Sequence, residues 1–437
     1  MAKILRGLRG ATTATANTSE AILDATQTYL PPGRGPAAAG SAGVTAVTTP
    51  TTAVVSARGA ARWRGGHPWI YRTDLYREPK GAATPGIVPV TDRRDRFLGQ
   101  ALYSPKSEIR LRLLTRGQEP IDAAWWRDRI TAAAARRAGI PATAYRVVHA
   151  EGDGLPSLVI DRYGTFVVAQ LLSAGLERER DAVLDGMTAA LAPEGILLRH
   201  DAGIRRHEGL GSEIVIARGT VPERVEVEEH GIRYIAAPWS GQKTGAFLDQ
   251  RENRVVVAAH GRPGGRALDV FSYHGSFALH LAARAGQVLA VDSSADALWR
   301  AAENAALNGI SNIVWREANA FDLLRDLERH EEAFDTIVLD PPAFAKSKET
   351  VPKALGGYKE INLRAMRLLA TGGVLFTCSC SYHVSRALFS EMVAEAAHDS
   401  GRRLQLLAVT GNSADHPEIV NVPETGYLKG VLLRAVD

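Results

Sequence analysis

Cysteine is almost absent from the chain: 437 residues contain two, Cys378 and Cys380, both in the run VLFTCSCS. Two thiols cannot build the disulfide framework of a small secreted domain. Their i, i+2 spacing on one strand sets the α-carbons roughly 6.6 Å apart, near the upper limit for a bridge. Free thiols in a reducing compartment are therefore expected. Long apolar runs are missing too, since none approaches the ~18 residues needed to cross a bilayer. No charged head followed by an apolar stretch marks a secretion signal. The expected location is the cytoplasm, with no membrane partner. His, Cys and acidic residues nowhere cluster at metal-ligand spacing, so no metal is expected.

What the chain does have is length and an uneven distribution of charge. At 437 residues it exceeds one ordinary hydrophobic core and predicts two or three domains. Residues 54–118 hold thirteen Lys or Arg against five Asp or Glu, the first 53 hold four against two, and the remainder carries a net −6. A small arginine-rich module on a mildly acidic body points to a polyanion, nucleic acid before others. Interleaved Trp63, Trp69, Tyr71, Phe97 and Tyr103 add stacking surfaces that suit RNA. The competing explanation is a solvated basic surface.

Residues 1–53 are rich in Ala, Thr, Gly and Pro with few large apolar side chains, and are expected to be a disordered leader. From 54 to 118, short β-rich runs between Gly, Pro and Asp turns predict a small barrel with no helix longer than two turns. Residues 119–225 read as a central α+β domain opened by the helix DAAWWRDRITAAAARRAG, with Asp122 at its start and Gly139 at its stop. The turn EEHGIR (228–233) marks a hairpin. From 226 onward, and most clearly beyond Gly264, apolar strands alternate with helices: ALDVFS, VLAVD, NIVWR, TIVLD, VLFTCS and LQLLAV. A last run, YLKGVLLRA, follows a long loop and is expected to pair antiparallel. The fold class is thus α/β, a Rossmann-like class I methyltransferase domain with a seven-stranded, mostly parallel sheet.

The turn after the first of these strands, DVFSYHGSF, carries one glycine, Gly275, where a dinucleotide fold needs G-x-G-x-x-G. Pyrophosphate needs bare amides close by, whereas S-adenosylmethionine (SAM) lacks phosphate and tolerates side chains there. Asp292, ending the second strand, suits ribose hydroxyls, though either nucleotide cofactor would use such an acid. Asn319 could meet an adenine edge or merely cap a helix. Asp340 closes an apolar strand before two prolines that hold the backbone out of a helix. Phe344 could offer a face to a base, and Lys346 and Lys348 could meet phosphate. Cytosine carbon-5 is a poor nucleophile, so its methylation requires a thiolate to attack carbon-6. Cys378 reads as inert core. Cys380, among Ser379, Ser381 and Tyr382, sits where a thiolate is expected to form more easily. The pattern alone leaves open whether Cys380 reacts or packs.

From about Val54 to the end, the sequence resembles the RlmI family of SAM-dependent 23S ribosomal RNA cytosine-5 methyltransferases. The resemblance rests on blocks in one order: HPWIY (67–71), GQALYSP (99–105), EGDGLPSLVIDRYG (151–164), KTGAFLDQREN (243–253), DVFSYHGSF (269–277), DPPAFAKSK (340–348), SCS (379–381), ADHPEI (414–419) and YLKG (427–430). It implies an amino-terminal PUA domain, and SAM as cofactor. It places Phe271, Ser272, Tyr273, Gly275, Asp292, Asn319 and Asp340 on cofactor positions, and Lys243 to Arg251, with Gln250, on a segment that closes over SAM. Cys380 falls on the family nucleophile, and Asp340 would orient the target base. His274 and Ser276 depart from the Thr and Gly usual in the loop, and Asn319 stands where Asp is common. Alternatives are a guanine-nitrogen methyltransferase, an inactive ribosome-assembly factor that binds RNA, and, more remotely, a nicotinamide oxidoreductase. A homodimer is one arrangement the sequence leaves open.

Overall fold

The computed structural model describes residues 52–81 and 83–437; the expectation of a disordered leader over 1–53 falls outside them up to residue 51, while its last residue, Ala53, is buried at the start of a strand. The first sheet has six strands in the order Trp69–Tyr71, Ile109–Thr115, Phe97–Tyr103, Gly86–Asp92, Ala53–Val55 and Leu75–Arg77. Trp63, Ile70, Val90, Ala101, Tyr103 and Leu111 fill its core. A helix, Ala57–Arg64, lies among these strands where none longer than two turns is expected. Its eight residues, ARGAARWR, offer little apolar pattern, and Ser56 starts it by accepting the Gly59 amide.

The next unit is a five-stranded sheet, ordered Ile214–Gly219, Gly195–Arg199, Phe166–Leu171, Leu158–Tyr163 and Ala144–His149. Helices Ala123–Ala135 and Arg180–Leu191 pack together on it. They approach closely because Gly186 has no side chain: a Cβ there would stand 2.6 Å from the Trp126 Cβ. Asp122 caps the first helix as expected, accepting the Trp125 amide. That helix ends at Arg136, and turns carry the chain on to Gly139, which sits at a φ of +89°.

A hairpin, Val225–Glu229 with Ile232–Ala236, leads to the seven-stranded sheet. Its strands are β1 (Arg266–Val270), β2 (Gln287–Asp292), β3 (Ile313–Glu317), β4 (Phe334–Leu339), β5 (Leu369–Ser379), β6 (Leu404–Thr410) and β7 (Lys429–Ala435). The order is β3-β2-β1-β4-β5-β7-β6, and β7 runs antiparallel to both neighbours. This is the expected α/β arrangement with the expected reversed strand.

Helices cover both faces of this sheet. One side carries α1 (Arg251–His260), α2 (Ser276–Ala282) and α3 (Ala295–Leu307); the other carries α4 (Ala320–Arg329), α5 (Val351–Arg367) and α6 (Arg386–Ser400). With both faces covered, the central strands can be apolar throughout. In β5 every residue from Gly373 to Ser379 is buried. The carboxyl ends of β1, β2, β4 and β5 consequently deliver the loop at 271–275, Asp292, Asp340 and Cys380 to one edge.

Candidate active site

The loop after β1 is bent by three left-handed residues: Phe271 at a φ of +67°, Tyr273 at +49° and Gly275 at +83°. Such conformations in side-chain-bearing residues cost of order 1–3 kcal/mol each and persist where the surroundings fix them. Here the Tyr273 amide donates to Asp292 Oδ2 at 2.9 Å, and the Ser294 amide to Oδ1 at 2.9 Å. Gly275 answers a packing need. A Cβ there would meet the Trp315 ring at 2.7 Å. His274 turns toward the hairpin, stacking on Tyr234 at 6.4 Å with Tyr273 beside it at 4.2 Å. Burial pulls it down to about 3, so it is neutral. The larger loop side chain is accommodated against the hairpin.

Two acids, one buried and one half-buried, influence each other beneath this loop. Asp269 is fully buried; its Oδ2 accepts the Ala278 amide at 3.0 Å, while its Oδ1 has no partner. Burial, with Asp340 nearby, pushes its carboxyl up to about 8. Asp340 Oδ1 accepts from Gln250 Nε2 at 2.9 Å and from the Cys378 thiol at 2.9 Å. Burial raises this carboxyl too, against those two bonds. A third acid, Asp249, is drawn below the usual carboxylate range: burial would raise it, but Lys243 at 2.5 Å and the Tyr427 hydroxyl at 2.6 Å prevail.

Asp269 Oδ1, Asp249 Oδ1, Ser272 Oγ and Thr377 Oγ1 are buried and, among the described residues, without hydrogen-bond partners. Such groups are costly unless a ligand meets them. A ligand with a sulfonium and an ammonium supplies the charge that unpaired carboxylate oxygens lack, so the residues present fit SAM.

The two cysteines are free. Cys378 is fully buried, bonded to Asp340 and receiving Gln250 Nε2 at 3.2 Å; burial and Asp340 hold its thiol well above the ordinary range. Cys380 is half-buried, with its sulfur 3.9 Å from the Pro341 carbonyl. Its thiol is pushed up to about 11 by burial and then by Asp340. This corrects the expectation that its polar neighbours ease ionisation. The serines on either side face away to other partners: Ser379 Oγ donates to the Tyr358 hydroxyl at 3.0 Å, and Tyr358 lies 2.9 Å from Ser381 Oγ. The Ala345 amide donates to Ser381 Oγ at 3.1 Å, which ties the Asp-Pro-Pro turn to the thiol turn.

Other expected site residues are placed differently. Gln250 braces Asp340 and Cys378. Arg251 is fully buried and gives its guanidinium to Asp415, at 3.0 Å twice, and to Glu252; the structure does not bring it to the loop. Asn319 caps α4, its Oδ1 accepting from Phe321 and Asp322. Phe344 does not wait for a base, because its ring packs on Tyr358 at 4.5 Å, Phe321 at 6.1 Å and Phe271 at 6.4 Å. Beside the thiol turn lies a cavity of about 540 Å³ lined by Lys348, Tyr382, His383, Arg386, Glu418 and Lys429 among others. His67, from the first sheet's region, reaches its rim 3.3 Å from Glu424.

Residues 54–116 match the PUA-like domain family, and residues 183–434 match the S-adenosylmethionine-dependent methyltransferase family. Ribosomal RNA large subunit methyltransferase I of Aeromonas salmonicida is 39 % identical over 380 residues, 84 % of this chain and 95 % of that protein. The chain belongs to this methyltransferase I family. The Photobacterium profundum member is 38 % identical over 87 % of this chain and 98 % of its own. Among solved structures, a candidate SAM-dependent methyltransferase from Streptococcus mutans superposes with a TM-score of 0.74 at 20 % identity, covering 88 % of this chain and all of that one. Another methyltransferase, solved with S-adenosylhomocysteine, does so at 0.76 and 21 %, with the same coverage. Both share the fold. SAM is thus the cofactor of this family member, and SAM supplies an electrophilic methyl group when bound. Asp269, absent from the expected site residues, is the acid the sequence reading missed; its one signal is an acidic residue inside an otherwise apolar strand end.

Proposed function

We propose that the protein methylates carbon-5 of a cytosine in large-subunit (23S) ribosomal RNA through a covalent bond to Cys380. The observation that carries this reading is the placement of a half-buried thiol at the end of β5, on the same sheet edge as Asp340 and the unpartnered acceptors of the SAM pocket. The curated relatives, named for large-subunit ribosomal RNA, supply the substrate class. The adjacent cavity of about 540 Å³ is wide enough for a nucleobase taken out of its stack. In this reaction the Cys380 thiolate would add to carbon-6, carbon-5 would take the methyl group as the sulfonium S–CH3 bond breaks to leave S-adenosylhomocysteine, and passage of the carbon-5 proton to a base would let the carbon-6–sulfur bond break. Asp340, held by its hydrogen bonds from Gln250 and Cys378, orients the base. Phe271, Ser272, Tyr273, Gly275 and Asp292 form the wall on which SAM lies, with Asn319 and Gln250 at its margins. We also infer functional divisions at 54–118 for RNA grip, 119–225 for spacing and 226–437 for catalysis.

Cys380→Ala is expected to abolish methylation of unmodified ribosomal RNA while SAM still binds by calorimetry. Ordinary turnover by this variant would end the covalent reading. The thiol's position near 11 in the free protein favours a second reading, guanine-nitrogen methylation, which needs no thiolate. Mass spectrometry of nucleosides from the modified RNA separates the two products.

A further inference from the structure

Forming a thiolate at Cys380 requires a positive charge close to the sulfur, and two lysines lie near it. The groups acting on Cys380 are, after burial, Asp340, Lys243, Asp249 and Lys429 in falling order, and it acts in turn on Cys378 and the Tyr358 hydroxyl. Lys243 is already committed, 2.5 Å from Asp249. Lys429 is not. It is 4 % exposed, and among the described residues it makes no ion pair within 4.0 Å of a carboxylate. Its Nζ donates to the Ser381 carbonyl at 2.7 Å and the Tyr427 carbonyl at 2.8 Å, which uses two of three ammonium protons. In the sheet Lys429 pairs with Ser379. Opposite residue 379 and bonded to residue 381, its side chain brackets Cys380 along the chain. It also lines the cavity assigned above to the base. A buried ammonium without a counter-ion is costly, and Arg386 nearby adds repulsion, only partly offset by Glu418, which lies 3.5 Å from Arg386.

We propose that Lys429 is a positioning residue whose ammonium is the counter-ion of the Cys380 thiolate. The inference rests on the cytosine-5 reading for its purpose but not for its test. The step is simple: the S–H bond breaks, the proton passes to water, and the sulfur keeps the electron pair beside an ammonium that retains its own three protons. Lys429 gains the anion it lacks, and Cys380 gains a cation that no carboxylate among the described residues neutralises. Burial pulls Lys429 down to about 8, so it remains mostly charged at neutral pH and gives up its charge above that.

The test follows alkylation of Cys380 by iodoacetamide in the full-length protein, with the modified residue assigned by peptide mass spectrometry. No RNA or methyl transfer is involved. K429Q keeps hydrogen-bond donors without charge and is expected to react about tenfold more slowly at pH 7.5, its pH profile displaced upward by about one unit. K429R restores the charge and is expected to react within about twofold of wild type. Equal rates for wild type and K429Q, or the same loss in K429R as in K429Q, would overturn the proposal in favour of a scaffold role. Should K429Q fail to fold, the wild-type protein alone still decides. The slope of log rate against pH must fall below one near pH 8 as Lys429 discharges, and an unbroken unit slope from 7 to 10 refutes the pairing. A failed RNA adduct with normal alkylation behaviour would instead strike the cytosine reading and leave the ion pair standing.

Discussion

If the Asp269 carboxyl meets the cation of SAM, cofactor binding is expected to be coupled to a proton. Its folded carboxyl sits near 8, above its ordinary 3.8, so between those values the folded protein holds a proton that an unfolded chain releases. Its contribution to stability therefore falls as pH rises from about 4 to about 8 and is level beyond. A cationic ligand that prefers the carboxylate reverses this locally. SAM affinity is expected to rise by up to about tenfold per pH unit between 6 and 8 and then to level, while Asp269→Asn removes the dependence. Titration calorimetry across that range checks it, and a constant wild-type Kd would exclude the carboxyl as the cation's partner. Tyr358 is the other residue that repays a single-atom change. Removing its hydroxyl in Tyr358→Phe unties Ser379 and Ser381 and should cost about 1 kcal/mol of stability. Because the thiol turn loosens, kcat should fall while the KM for SAM stays put. Neither residue stands out in the chain. Asp269 shows its meaning only when β4 brings Asp340 beside it, and Cys380 looks polar by its neighbours in sequence yet is half-buried by elements far from it.

At the level of elements, the hairpin is held to the methyltransferase domain by a buried ionic cluster, beside hydrogen bonds from the Arg233 and Ile235 amides to Asn308 and Asn304 at the end of α3. Arg254 of α1 donates to both oxygens of Glu229, at 2.8 and 2.7 Å, and His280 of α2 lies 3.2 Å from the same carboxylate. Glu229→Gln leaves a buried guanidinium uncompensated and is expected to destabilise the protein by about 3–5 kcal/mol, measured by urea unfolding. The inner strands of the large sheet were legible because they are largely buried and read as apolar runs, whereas its edge strands β3 and β6 bury none of their residues fully and were legible from their apolar residues alone. Trp69–Tyr71 and Leu75–Arg77 were not, being three residues long with partly exposed side chains. Ile214–Gly219 escaped for a different reason: it is an edge strand that buries none of its six residues fully, and its apolar stretch ends after Ala217.

For the whole molecule, the basic PUA-like domain is expected to set the salt dependence of RNA binding. Several of its arginines are neutralised within the fold, Arg58 and Arg62 by Asp74 and Arg64 and Arg96 by Asp92, so the local net charge overstates what RNA meets. Arg93 lies over the exposed Tyr76 ring at 4.4 Å, and Arg94 is exposed beside it. The double variant R93A/R94A should weaken RNA binding and reduce the slope of log affinity against log salt by roughly 1.4, at about 0.7 per lost phosphate contact. Filter binding at several ionic strengths measures this. An unchanged slope would move the phosphate track elsewhere.

The segment 419–426 ties the two ends of the chain together: Asn421 holds the Gly65 carbonyl at 2.9 Å, Glu424 holds His67, and three residues beyond Gly426 the strand begins at Lys429. The PUA-like domain is thereby joined to the loop that leads into the strand carrying Lys429. Fragments too short to engage that domain would then suffer in turnover as well as in affinity, the grip at a distance serving as a trigger for the chemistry.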